Sequence, residues 1–127
     1  MVIVADTSYI VEGLLFNKEL LSRDQIIAPE LIIYETTNTI WKHENLLKSI
    51  QNGESYLSLL FGLIDSGKIT IVSSDENLIQ DAYVAAKRNS ITPYDAIFVC
   101  LAVKLGTVLK TLDKKQKEVY EKEKNED

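Results

Sequence analysis

A chain of 127 residues is the length of one compact domain, long enough to bury a core without disulfides or structural metals. With 46% hydrophobic and 26% charged residues, the composition is that of an ordinary globular protein and excludes a disordered main body. A formal net charge of -5 is the opposite of the basic balance usual in a nucleic-acid binder, although four clustered carboxylates would account for much of it.

In chain order, Val2 to Ala5 is apolar at every position and predicts a strand buried on both faces. Thr7-Ser8 is suited to cap a helix over Tyr9 to Phe16. Gln25 to Ala28 reads either as a short strand or as the lead-in to a helix. Pro29 then suits a first helical position, and Glu30 to Leu47 predicts a long helix. Gly53 breaks the chain before a helix over Glu54 to Ile64, which Gly67 stops. Ile69 to Val72 predicts a strand, and Ser73 to Glu76 opens a helix running to about Asn89. Thr92-Pro93-Tyr94-Asp95 is a strong helix start, with a Thr cap, Pro at the first position and an acid at the third. That helix ends at Leu105 with Gly106. Thr107 to Thr111 predicts the last strand, and Asp113 opens a terminal helix.

Strands alternating with helices imply an α/β domain with a central parallel sheet flanked by helices. Residues 1–113 are expected to form the domain, with 114–127 a charged C-terminal helix or tail belonging to it. The tail, with its alternating charges, is expected to be solvated and to fray. Cys100 lies within Phe98-Val99-Cys100-Leu101 and reads as a small buried apolar residue, with no partner for an internal disulfide. The first residues lack a basic region, so no secretory leader is expected, and the longest apolar run, Ala96 to Val103, is too short to span a membrane. A cytoplasmic protein fits these features.

Four acids stand at the ends of apolar segments: Asp6 after the first strand, Glu35 in a stretch rich in Ile and Tyr, Asp95 at the start of an apolar helix, and Asp113 after the last strand. A lone buried carboxylate is costly unless it is paired or metal-bound. In open α/β sheets, ligands gather outside the carboxyl ends of the strands, where Asp6 and Asp113 must lie. Two carboxylates 5 Å apart repel by roughly 3 kcal/mol at an effective dielectric near 20. A cluster of four therefore favours a hard divalent cation, Mg²⁺ or Mn²⁺, and oxygen ligands of this kind suit phosphate chemistry. One histidine and one cysteine make a zinc site improbable. Each acid also has a plainer reading. Asp6, Asp95 and Asp113 stand where carboxylates cap helices, and Glu35 where a helical Glu is solvated.

These segments resemble the PIN-domain family. Asp6-Thr7-Ser8 after the first strand looks like its opening motif, Glu35-Thr36-Thr37-Asn38 like its E-x-x-N helix, Tyr94-Asp95-Ala96 with Leu101-Ala102 like its Y-D-A…L-A helix, and Thr111-Leu112-Asp113 like its T-x-D element. The resemblance covers essentially the whole chain and is greatest to VapC-type toxins of toxin–antitoxin pairs. It implies an endoribonuclease that depends on Mg²⁺ or Mn²⁺. Asp6 and Asp95 would bind metal directly, and Glu35 and Asp113 would do so directly or through water. Thr7, Ser8, Asn38 and Thr111 would orient these groups. It also implies an RNA substrate, a cognate antitoxin and a homodimer. Lys42, on the Glu35 face, is placed to meet a phosphate. Trp41 reads as packing, His43 as a surface residue, and Lys87-Arg88 as a solvated helix end.

Three rivals are open. A non-catalytic binding module with a PIN-like fold would suit the acidic pI. A housekeeping RNA-processing nuclease would carry the same acids. A phosphatase or receiver domain also places an Asp after a strand, but Ser8 occupies the position where the haloacid-type phosphatase pattern needs a second Asp. No P-loop sequence occurs.

Overall fold

The computed structural model describes residues 1–125. Four parallel strands form one sheet in the order β3-β2-β1-β4, comprising β1 (Val2–Ala5), β2 (Gln25–Pro29), β3 (Ile69–Val72) and β4 (Val108–Lys110). Seven helices accompany it among the described residues: α1 (Thr7–Leu15), α2 (Glu19–Ser22), α3 (Leu31–Asn45), α4 (Gly53–Asp65), α5 (Glu76–Asn89), α6 (Pro93–Leu105) and α7 (Lys114–Lys124). The parallel α/β sheet expected from the alternating pattern is the one observed.

Strand β1 lies inside the sheet, which explains its unbroken apolar run. Ile3, Val4 and Ala5 are fully buried, together with Ile10, Leu14, Ile26, Ile32, Phe98 and Val99. Burying each large apolar side chain contributes about 1.5–3 kcal/mol against the entropy of ordering the chain. Helix α6 crosses this core and packs on β1, β2, β4, α5 and α7. Thr92 caps it by accepting from the Asp95 N–H, and Gly106 closes it at φ +66°. Both were legible in the sequence.

Several expectations need correction. Asp6, rather than Thr7 or Ser8, caps α1, its carboxylate accepting from the Tyr9 N–H. Pro29 is the last residue of β2 instead of the first of a helix. It pairs with Val72 of β3 beyond the register shared with β1, so its missing N–H breaks no ladder bond on that side. Helix α2 was not foreseen; it is one short turn without a side-chain cap. Trp41 is half exposed, and Cys100 is only partly buried, although burial still pushes its thiol up to about 11.

The terminal helix is docked as far as it is described. Gln116, Val119, Tyr120 and Glu123 form a buried stripe along α7 at helical spacing. Arg88 is tied into it by a two-point pairing with Glu123, at 3.0 and 2.5 Å, and Asn89 donates to the same carboxylate at 2.7 Å. Of the expected solvated helix end, Lys87 is exposed, whereas Arg88 anchors α7. Residues 126 and 127, the last of the predicted tail, lie outside the described residues. Among the described residues, no helix is long and apolar enough to cross a membrane.

Candidate active site: a carboxylate cleft at the strand ends

Because all four strands are parallel, their carboxyl ends share one edge. Asp6 leaves β1 there, and its N–H continues the ladder by donating to the Lys110 carbonyl of β4. Helix α3 begins at that edge after β2, which places Glu35 in its second turn. Helix α6 ends by feeding β4, so its first turn, with Asp95, returns to the same edge. Asp113 follows β4 and caps α7 by accepting from the Gln116 N–H at 3.0 Å.

The four carboxylates line one cleft of about 270 Å³, together with Thr7, Ser8, Asn38 and Lys42. Thr111 is not on its wall but acts on it from behind. Its hydroxyl donates to Asp6 Oδ2 at 2.5 Å, while Ser8 Oγ donates to Asp6 Oδ1 at 2.7 Å. The Leu112 N–H donates to Ser8 Oγ, and the Asp113 N–H to Thr111 Oγ1. The backbone beside Asp113 is thereby tied to the groups holding Asp6. On the opposite side, Thr7 Oγ1 donates to Glu35 Oε1 at 2.6 Å.

The electrostatics are those of crowded acids. Burial raises the Asp6 carboxyl above its ordinary value; the Ser8, Thr111 and Tyr9 donors oppose this, and the Asp113 charge adds to it. Glu35 is raised by burial, with Thr7 opposing and Asp95 and Asp6 adding. Asp95 is an exposed residue overall, yet its carboxyl faces the cleft. There, desolvation first and then the charges of Asp113 and Asp6 raise it, with Thr92 opposing. Among the described residues, no three His, Cys, Asp or Glu side chains stand close enough to hold a metal ion together. The donor set still fits a hard cation. It is all oxygen, several of its members repel one another, and Mg²⁺ commonly binds through one or two carboxylates and keeps its waters.

A PIN-domain family model matches residues 3–122. The chain belongs to the PIN-domain family. Ribonuclease VapC3 of Pyrobaculum aerophilum is 32% identical over 91 residues, covering 72% of this chain and 68% of that protein. Among solved structures, the fold resembles Mycobacterium tuberculosis VapC20, described as a Sarcin-Ricin loop cleaving toxin. The TM-score is 0.71 at 15% identity, covering 91% of this chain and 93% of that one. It also resembles VapBC2 from Rickettsia felis, solved bound to a DNA fragment from its promoter. There the TM-score is 0.64 at 13% identity, with coverages of 94% and 93%.

Every acid singled out in the PIN-domain motifs thus reaches one cleft. Sequence reasoning missed Thr39, Phe98 and Gln116, which also line it. Thr39 was signalled by its place one turn after Glu35. Gln116 gave no local signal, because its amide donates to the Asp95 carbonyl across the α6–α7 contact.

Proposed function

We propose that this PIN domain is a ribonuclease toxin of a toxin–antitoxin pair, hydrolysing RNA phosphodiester bonds with Mg²⁺ or Mn²⁺ held in the carboxylate cleft. The observation that carries this reading is the convergence of Asp6, Glu35, Asp95 and Asp113 from four separate parts of the chain. The likeness to proteins named as a ribonuclease and as an RNA-loop-cleaving toxin supports the chemistry, and the likeness to a VapBC assembly supports an antitoxin partner.

In this reading, Asp6 and Asp95 bind the metal directly, and Glu35 and Asp113 do so directly or through water. The bound ion supplies polarisation of the phosphoryl oxygens, an acidified water and a counter-charge for the leaving oxygen. Ser8 and Thr111 fix both oxygens of Asp6, and Thr7 fixes Glu35, so the carboxylates are oriented before substrate arrives. Lys42, the one cation on the cleft wall among the described residues, offsets phosphate charge, and Asn38 offers a neutral donor beside it. The scissile bond is the one to the 3′-oxygen, leaving a 5′-phosphate and a 3′-hydroxyl. The protein acts in the cytoplasm as a homodimer, for which the exposed Ile79, Tyr83 and Val84 of α5 provide apolar surface.

The test is cleavage of labelled single-stranded RNA by purified protein with Mn²⁺, alongside chelator and Asp95→Asn controls. Cleavage needing both metal and Asp95 supports the reading. Undiminished turnover by folded Asp95→Asn protein overturns it.

A further inference from the structure

Beside the carboxylate cleft lies a second cavity of about 380 Å³, between α1 and α3. It shares Thr7, Ser8 and Thr39 with the cleft, so the two lie side by side. Its size falls within the roughly 300–1,000 Å³ of small-ligand sites. Glu12 of α1 and Phe16, the residue that ends that helix, line it from one side, and Thr39 and His43, one turn apart on α3, line it from the other. Phe16 is 55% exposed, so its ring is accessible from solvent. Its ring meets that of His43 edge-on, with centroids 5.5 Å apart and planes at 67°. His43 is held in place by Ser49, whose hydroxyl lies 2.7 Å from Nδ1. Glu12 makes no ion pair among the described residues, which leaves its carboxylate available as an acceptor.

The geometry points to a nucleobase pocket in which the exposed Phe16 ring stacks an unstacked guanine of the RNA next to the scissile phosphate, His43 borders it, and Glu12 reads its Watson–Crick edge. This inference rests on the nuclease reading, because adjacency to the cleft is what makes a base the occupant. Single-stranded RNA is recognised by splaying bases onto aromatic side chains and hydrogen-bonding their edges. A carboxylate only accepts, and guanine presents two adjacent donors, N1–H and N2–H, to its two oxygens. Uracil presents one donor between two carbonyl oxygens, which a carboxylate repels. The pocket thus selects against uracil.

His43 is the only histidine in the chain, so its ring protons give one unambiguous NMR signal set. Asp95→Asn protein with Mg²⁺ is titrated with the RNA pentamers UUGUU and UUUUU. The expected result is a His43 shift that saturates with UUGUU and is much smaller with UUUUU. Phe16→Ala weakens UUGUU binding about 5- to 150-fold, the range for losing one base stack. In parallel, cleavage of a randomised RNA pool by otherwise unaltered protein shows guanine enriched at one fixed distance from the cut, and Glu12→Ala loses that enrichment. Equal shifts for both pentamers, or cleavage without the enrichment, overturn the inference while leaving the nuclease standing. A guanine-selective shift with no cleavage of any pool keeps the pocket and removes the nuclease. A His43 shift with N-acetyl-phenylalanine amide and none with either RNA assigns the cavity to a protein side chain, and overturns the inference.

Discussion

Thr111 and Asp6 are 105 positions apart, yet the Thr111 hydroxyl is bonded directly to the Asp6 carboxylate. This contact joins the end of β4 to the end of β1 and favours the ionised form of a buried acid. Thr111→Val keeps the shape and removes the donor. The Asp6 carboxyl then rises further, and an activity that needs it ionised loses its acid side first. A kcat/KM profile against pH should show the acid limb displaced upward, with neutral-pH activity lowered about 10-fold or more.

The same crowding sets a pH dependence of stability. Asp6, Glu35 and Asp95 all have raised values in the folded protein. Groups of this kind add stability that is fully present below their ordinary values near 4 and is lost as pH climbs through the raised ones. In chelator, the melting temperature should therefore fall from mildly acidic to neutral pH. Asp95→Asn should melt at the same temperature as the unaltered protein or higher at neutral pH, since it removes repulsion without removing the Thr92 cap. Added Mn²⁺ should raise the unaltered protein's melting temperature and reverse the order. A large loss of stability in Asp95→Asn under chelator would argue against strain in the cleft.

Glu123 moves in the other direction. The Arg88 hydrogen bonds hold its carboxyl below the usual range against the cost of burial, with Asn89 assisting. Its contribution is present above its ordinary value and is lost as pH falls through the lowered one. Glu123→Ala should cost about 1–3 kcal/mol in urea unfolding, the range for losing hydrogen bonds to a charged group. Hydrogen exchange should locate the loosening in α7.

Gly13 illustrates packing tolerance. A Cβ there would overlap the Leu21 side chain, where α1 meets α2. Gly13→Ala should destabilise by about 1–3 kcal/mol despite its better helix propensity. The double variant with Leu21→Ala should recover part of that relative to the sum of the single changes, as a double-mutant cycle would show.

The site was more legible than its supports. Asp6, Glu35, Asp95 and Asp113 stood out because an acid at the end of an apolar segment has to be capped, paired or metal-bound, and Thr92-Pro93 fixed where α6 begins. The roles of Thr7 and Ser8 were harder, because a hydroxyl after a strand suits a helix cap as well as it suits a carboxylate. The structure gives the cap to Asp6 and directs the hydroxyls to Glu35 and Asp6. Docking of α7 was hidden because two of its four buried positions, Gln116 and Glu123, are polar and meet their partners from α5 and α6 only in three dimensions. Pro29 was misplaced because whether a strand's final N–H is needed depends on the neighbour's register.

The pairing of β1 with β4 has a consequence for synthesis. The first strand's neighbour is the last of the four strands to be made, and Asp113 follows it. A growing chain carries Asp6, Glu35 and Asp95 before β4 is made to close the sheet beside them. The cleft is assembled only after residue 113 has been made, so its four carboxylates meet only when the last strand joins the first.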